Sequence, residues 1–291
     1  MRSAVLRSSG VLAVVALGAW LGVARGHAQP PATAPAPAQH LQGFDTVVVN
    51  HVNHVLGTEL LPVASGGAVE PGIFVTVTMD ELQVYDQPAA TLQGGRPTDA
   101  TVAPECRSGC PAVFYDALSR SWLEAAVEST AFAVEIPQRV LLAVHAELPA
   151  RTLLEVAYAA SETRPIQPPQ LSMLVNNTRG GLRAQPFFLV PPGGLELRQG
   201  SAVLGLQVDI SPGRYRVSAA DPRFAREREA TTPTQLQAIA RDVKKQYPGK
   251  ESVVLIPGEG VTVRELMKVV AIMHPSFPRV VLGMGPFIRR P

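Results

Sequence analysis

Few side chains in this sequence can do chemistry, and they are scattered. Cys106 and Cys110, in APECRSGCPA, are the two cysteines. Their spacing between Pro104 and Pro111 suits a local disulfide that pins a loop, worth about 2 kcal/mol through loop entropy. The competing reading, a redox site or half a metal site, lacks both a CxxC spacing and a nearby His. His51 and His54 in HVNH can share a helix face and offer two metal ligands. No third ligand of suitable spacing accompanies them, so a solvated segment is expected and no metal is assigned. His145 and Glu147 can form an acid-base pair, although a turn or helix-starting role suits Glu147 as well. The glycines of GEGVTVR lack the Lys and hydroxyl of a P-loop and predict a tight turn. No GxSxG or HExxH occurs, so no catalytic or cofactor-binding residue is assigned and a non-enzymatic protein is expected.

The elements that must position these residues follow one order twice. In the first segment IFVTVTM and LQVY (73–85) alternate like a hairpin, and a helical stretch follows from Ala112 to Glu128. The strand VLLAV (140–144), the turn HAELPA, the helix RTLLEVAYAAS and the strand LSMLV (171–175) complete it. In the second, VLGLQVDI and RYRVS flank Ser211-Pro212-Gly213, and TPTQLQAIARDVKKQY, SVVLI, PGEGVT, VRELMKVVAIM and VVLGM follow. Thr232 with Gln235, and Thr262 with Glu265, are capping boxes, and Pro233 suits a first helical position. HAELPARTLLEV set beside PGEGVTVRELMKV aligns Glu147 with Glu259 and, after one inserted residue, Arg151 with Arg264 and Val156 with Val269. Each strand-helix-strand unit demands a parallel pair. The expected fold is α+β: two tandem two-layer modules, each β-β-α-β-α-β with two helices on one face of a mixed sheet.

Composition bounds the rest. The chain has 291 residues with 27 Pro and 24 Gly, which favours short elements and excludes a long helical bundle. MRSAVLRSSG supplies a basic start, VLAVVALGAWLGVA is an apolar run of 14, and Gly26-His27-Ala28 offers small residues for cleavage, so 1–28 reads as a signal peptide. That run would extend only about 21 Å as a helix, short of a hydrocarbon core of roughly 30 Å. An uncleaved signal anchor is the alternative. QPPATAPAPAQ, within 29–40, reads as a polyproline II linker. The two modules are then 41–192 and 193–291. Residues 29–192 hold 8 Arg, no Lys and 15 acidic residues, whereas 193–291 hold 15 basic and 9 acidic. The exported chain is near neutral, and a nucleic-acid partner is not expected.

The segment SVVLIPGEGVTVRELMKVVAIMHPSFPRVVLGMG resembles the carboxyl-terminal part of the periplasmic domain of ExbD/TolR biopolymer transport proteins. GTELLPVASGGAVEPGIFVTVTMDELQVYD resembles the approach to that domain. The resemblance covers most of 56–175 and 195–285 and implies a periplasmic or secreted binding or dimerisation module of an envelope transport system. Family members carry a membrane helix with an essential carboxylate. FDTVVVNHVNHV (44–55) is too polar and short to span, so Asp45 is not assigned as proton carrier and no membrane span is expected in the mature chain. The alternatives are a membrane-anchored, proton-motive-force transducing subunit, if the amino-terminal segment stays uncleaved, and an unrelated periplasmic adaptor binding cell-wall polymer or a secretion component. The resemblance places partner binding or self-association at an exposed sheet edge. The closing strand RVVLGMG, with Arg279, Val281, Arg289 and Arg290, is the expected edge, while its continuous apolar character suits an interior strand equally. The mixed run DPRFAREREA reads as a solvated face, or as a contact for an anionic partner.

Overall fold

The computed structural model describes residues 66–285, except 86, 133–134, 164–166, 177–180, 192–193, 195–203, 222 and 225. These residues form a mixed α+β fold with one sheet of twelve strands and four helices. The first half contains β1 (Ile73–Val77), β2 (Glu81–Val84), β3 (Gln87–Gln93), β4 (Arg96–Pro97), α1 (Ala112–Phe132), β5 (Arg139–Val144), α2 (Ala150–Glu162), β6 (Gln170–Asn176) and β7 (Leu182–Leu189). The second contains β8 (Gln207–Ser211), β9 (Arg214–Ser218), β10 (Arg228–Ala230), α3 (Pro233–Gln246), β11 (Ser252–Pro257), α4 (Val263–Met273) and β12 (Arg279–Leu282).

Across the sheet the order is β10-β9-β8-β11-β12-β7-β6-β5-β1-β2-β3-β4. Leaving β7 on one side, the chain meets β6, β5, β1, β2 and β3; leaving it on the other, it meets β12, β11, β8, β9 and β10. On both sides a hairpin opens the run (β1/β2 and β8/β9), and the strands joined through helices are parallel: β1, β5 and β6, and β8, β11 and β12. β7 joins what the sequence reads as separate sheets, because it pairs antiparallel with β6 and parallel with β12.

Local rules explain the helices of the second half. Thr232 Oγ1 accepts the Gln235 amide at 3.2 Å and Pro233 opens α3. Thr262 and Glu265 form a reciprocal capping box at the start of α4. α1 runs four residues beyond the expected end, and its buried residues, Phe114 to Trp122, lie in its first half. All four helices pack on one face, where Ile73, Val75, Leu142, Leu153, Val208, Leu236, Leu255 and Leu266 share one continuous core. Each such side chain contributes roughly 1.5–3 kcal/mol on full burial. The helix-free face of the first half has its own cluster of Phe74, Leu141, Ala143, Leu174 and Ala184. It is crossed by residues 66–72, which leave an antiparallel bridge between Gly67 and Ala184, lay Val69 on the cluster and enter β1.

Gly94 and Gly95 close the β3–β4 hairpin with φ of 56° and 75°, the signature of a tight primed turn. Gly95 is also wedged against the start of α2. A Cβ there would lie 2.6 Å from Pro149 Cδ and 2.8 Å from Leu148 Cδ1, whereas one on Gly94 would meet nothing. Gly95→Ala is therefore expected to cost at least about 2 kcal/mol by denaturant unfolding and Gly94→Ala about 1 kcal/mol. Equal losses would show that the wedge is not rigid.

Candidate functional site

The two turns aligned by sequence meet in space. The β5–α2 turn and the β11–α4 turn form an antiparallel bridge at Pro149 and Thr262. The Ala150 amide donates to Val261 O at 2.9 Å, and the Val263 and Arg264 amides donate to Leu148 O and Ala146 O, each at 2.8 Å. A helix leaves its first amides without intrahelical partners. Here the first amides of α2 and α4 are satisfied by the opposite turn, which compensates for the missing side-chain cap at Pro149. Arg264 Nε donates to Glu147 Oε1 at 2.5 Å across the same seam. The Thr152 hydroxyl donates to Gly95 O at 2.6 Å, tying the β3–β4 hairpin to the clasp.

This geometry decides the role of His145 and Glu147. His145 Nδ1 accepts the Glu147 amide at 3.2 Å, and the Glu147 carboxylate is taken by Arg264. The pair shapes a turn and does not form an acid-base couple. The alignment partners are not used alike, since Arg151 pairs with Glu155 one turn along α2, at 2.9 Å, while Glu259 is exposed.

Cys106 and Cys110 are disulfide-bonded and buried. The loop they close is held by the Ala103 amide donating to Cys110 O and by a bridge between Val102 and Pro111. Its tip docks on the end of α2. The Glu162 carboxylate accepts the Arg107 amide at 2.5 Å, the Ser108 amide at 3.1 Å and the Ser108 hydroxyl. A carboxylate at a helix C-terminus is unfavourable to the helix dipole, and these donors offset that cost. No residue spacing in the sequence signalled this partnership.

The expected edge at 279–285 requires correction. β12 is interior, paired over Arg279–Leu282 with β11 and at Val281 and Leu282 with β7. β7 occupies the side that would have been free. Arg279 Nε lies 3.6 Å from Glu251 Oε2, Val281 is half-buried, and Arg289 and Arg290 lie outside the described residues, as do His51, His54 and Asp45. The short strands β10 and β4 stand at the sheet's two ends.

Much of the basic second half is paired within itself. Arg223 forks onto Asp221 with contacts of 3.0 and 2.7 Å and holds its carboxyl down at about 2. Arg214 meets Glu229 at 2.6 Å, and Arg228 pairs with Asp242 and lies 5.4 Å over the Phe224 ring. Lys244 donates to Lys250 O at 2.7 Å. Among the described residues, no group of three His, Cys, Asp or Glu side chains is placed to hold a metal, and no helix is long and apolar enough to cross a membrane.

No family model and no curated protein matches the chain. Among solved structures, ethanolamine utilization protein EutJ from Carboxydothermus hydrogenoformans aligns over 85% of this chain and 96% of its own, with 10% identity and a TM-score of 0.20. Superposition at that level carries no argument about fold or role.

Farther along, α2 carries a buried phenol. The Tyr158 hydroxyl on α2 donates to Val190 O at 2.7 Å, and burial pushes its pKa up to about 12. A raised phenol pKa favours the folded state fully below the unfolded value near 10, and that contribution disappears as pH rises through about 12. Tyr158→Phe should cost about 1 kcal/mol at neutral pH through loss of the hydrogen bond. The stability difference from the parent should shrink between pH 10 and 12 in parallel unfolding titrations. Exposed Glu147 and Arg264 should couple by less than about 1 kcal/mol in a double-mutant cycle with Glu147→Gln and Arg264→Met.

Proposed function

We propose that this chain is a non-enzymatic ExbD/TolR-like binding module of the cell envelope, in which two modules, 41–192 and 193–291, are fused in tandem. The observation that carries the reading is the strand order, which is the same on both sides of β7 when followed outward from it. Meeting of the equivalent turns at Pro149 and Thr262 supports the tandem reading further, since equivalent segments face each other across two-fold interfaces. In this reading the chain acts as a single-chain pseudo-dimer. Its joint replaces self-association of separate modules, and its role is to hold a protein or cell-wall partner of an envelope transport system.

The chemistry of the site favours binding over catalysis. The polar groups brought together at the seam, Glu147, Arg264, His145 and Thr152, are spent on each other and on backbone atoms. Export to the periplasm or beyond is in keeping with the Cys106–Cys110 disulfide, a bond that persists in oxidising compartments.

Affinity capture from envelope extracts tests the function. Recovery of a cell-wall-associated or transport protein at stoichiometric yield is the expected outcome, and turnover of a small molecule by the purified chain would overturn it. Amino-terminal sequencing of the exported protein should begin at residue 29. An intact Met1 in washed membranes would instead support the anchored transducing subunit. A crystal structure should superpose 73–175 on 203–284 with every helix and parallel strand matched, and unmatched helices would remove the tandem reading.

A further inference from the structure

Charge and apolar surface left over after intramolecular pairing are divided between two helices. Along α1 the buried residues end at Trp122, and from Leu123 to Phe132 none is buried. Leu123 and Val127, one turn apart, are 66% and 61% exposed, and exposed Glu124 and Glu128 stand beside them. Neither carboxylate makes a hydrogen bond or an ion pair with a described residue. With Asp116 against Arg120 as its remaining charges, α1 is net acidic.

The outward stripe of α3 has the opposite sign. Ala238, Arg241 and Lys245 recur at helical spacing and are exposed, and Lys268 is exposed on neighbouring α4. Among the described residues nothing pairs with these three cations, in contrast to Arg214, Arg216, Arg223 and Arg228. Asp242, the acid of α3, is held by Arg228. The small side chain of Ala238 leaves a shallow step beside two long aliphatic stems, a surface suited to branched side chains such as Leu123 and Val127.

The fold sets these two surfaces at opposite ends of one layer. α1 lies over β2 and β3 and packs on α2, α2 packs on α4, and α4 packs on α3, which reaches β10. Within one chain α1 and α3 therefore cannot meet. In a second copy, turned about a two-fold axis that runs along the strands with the helix layers face to face, the order of the helices is reversed. α1 of one copy then faces α3 of the other, and α3 faces α1, so each contact occurs twice and the pair closes at two. At both contacts acid meets base and large apolar side chains meet a small one.

We propose that this chain self-associates through its helix layer as a two-fold dimer, with the Leu123–Glu128 stretch of α1 set against Ala238, Arg241 and Lys245 of α3 in the second copy. This contact uses surfaces that the sheet joint and the clasp leave open, and it stands whether or not the chain works in the envelope. Two helix-to-helix contacts fall at the small end of specific interfaces, so the dimer should dissociate in the micromolar range.

Sedimentation equilibrium of the purified chain tests this, with two reversed variants: Glu124→Lys with Glu128→Lys, and Arg241→Glu with Lys245→Glu. The parent should dimerise reversibly, and more weakly as salt is raised. Each reversed variant alone should dissociate at least about tenfold more readily, because like charges then face each other at both contacts. An equimolar mixture of the two should recover the parent's affinity as a heterodimer, since each α1 again meets an α3 of opposite sign. Circular dichroism melting should show all three chains folded. A variant that unfolds is replaced by Leu123→Ser with Val127→Ser, which should weaken the dimer by a similar factor. A parent that stays monomeric up to millimolar concentration would overturn the proposal and leave α1 to a basic partner of another kind. So would dimers indifferent to both reversals, or a mixture that gains nothing over its components.

Discussion

Everything in this molecule depends on the two-sided hydrogen bonding of β7. Without it β6 and β12 would each present a row of unpaired amides and carbonyls, the most association-prone surface a sheet can offer. β7 satisfies both, antiparallel on one side and parallel on the other. The two halves therefore share one sheet and, beneath the helices, one core. Pro186 within β7 is the apparent exception. The Ala184 amide points toward Gly67, on the β12 side, and Pro186, two residues on, faces the same way at a level where paired residues of β12 have not yet begun. A missing donor costs nothing there.

The turn-to-turn clasp is the second joint, and its physics differs. Helix amino-termini normally spend capping side chains or water on their first amides. At this seam the amides of Ala150, Val263 and Arg264 are met by carbonyls of the opposite turn. The halves are consequently joined by backbone groups whose partners do not depend on side-chain identity. The exposed Glu147–Arg264 pair adds orientation more than energy. Opposite formal charge on the two halves acts in the same sense over longer range, within the limits that salt screening sets.

Much of this was legible in the sequence because local rules and tertiary packing agreed. Capping residues marked α3 and α4, and the apolar runs marked β1, β5, β6, β11 and β12 within a residue or two. β7 was missed because LRAQPFFL alternates poorly: Arg183 and Gln185 share the helix side with Phe187, and a proline interrupts the run. β10, an edge strand, and β3, flanked on its outer side only by the two-residue β4, were missed because strands at or next to an edge need little apolar surface, as REA and QPAATLQ show. The placement of β12 could not be read at all, since an apolar run looks the same inside a sheet and at a coveted edge. The disulfide was legible from spacing, but the docking of its loop on Glu162 joins residues more than fifty positions apart and leaves no local trace.

The interior position of β12 bears on how the chain becomes folded. It is the last described strand in sequence, yet it stands between β11 and β7, at the junction of the halves. During synthesis the first half can assemble as soon as β6 has emerged, whereas the second, beyond the turn-to-turn clasp, gains its strand pairing with it only when β12 arrives. In that interval β7 shows a bare flank toward β12. Contacts made this late in the chain are slow to form. Such a protein gains from a temporary occupant of the vacant lane, and its most vulnerable moment is the one just before completion.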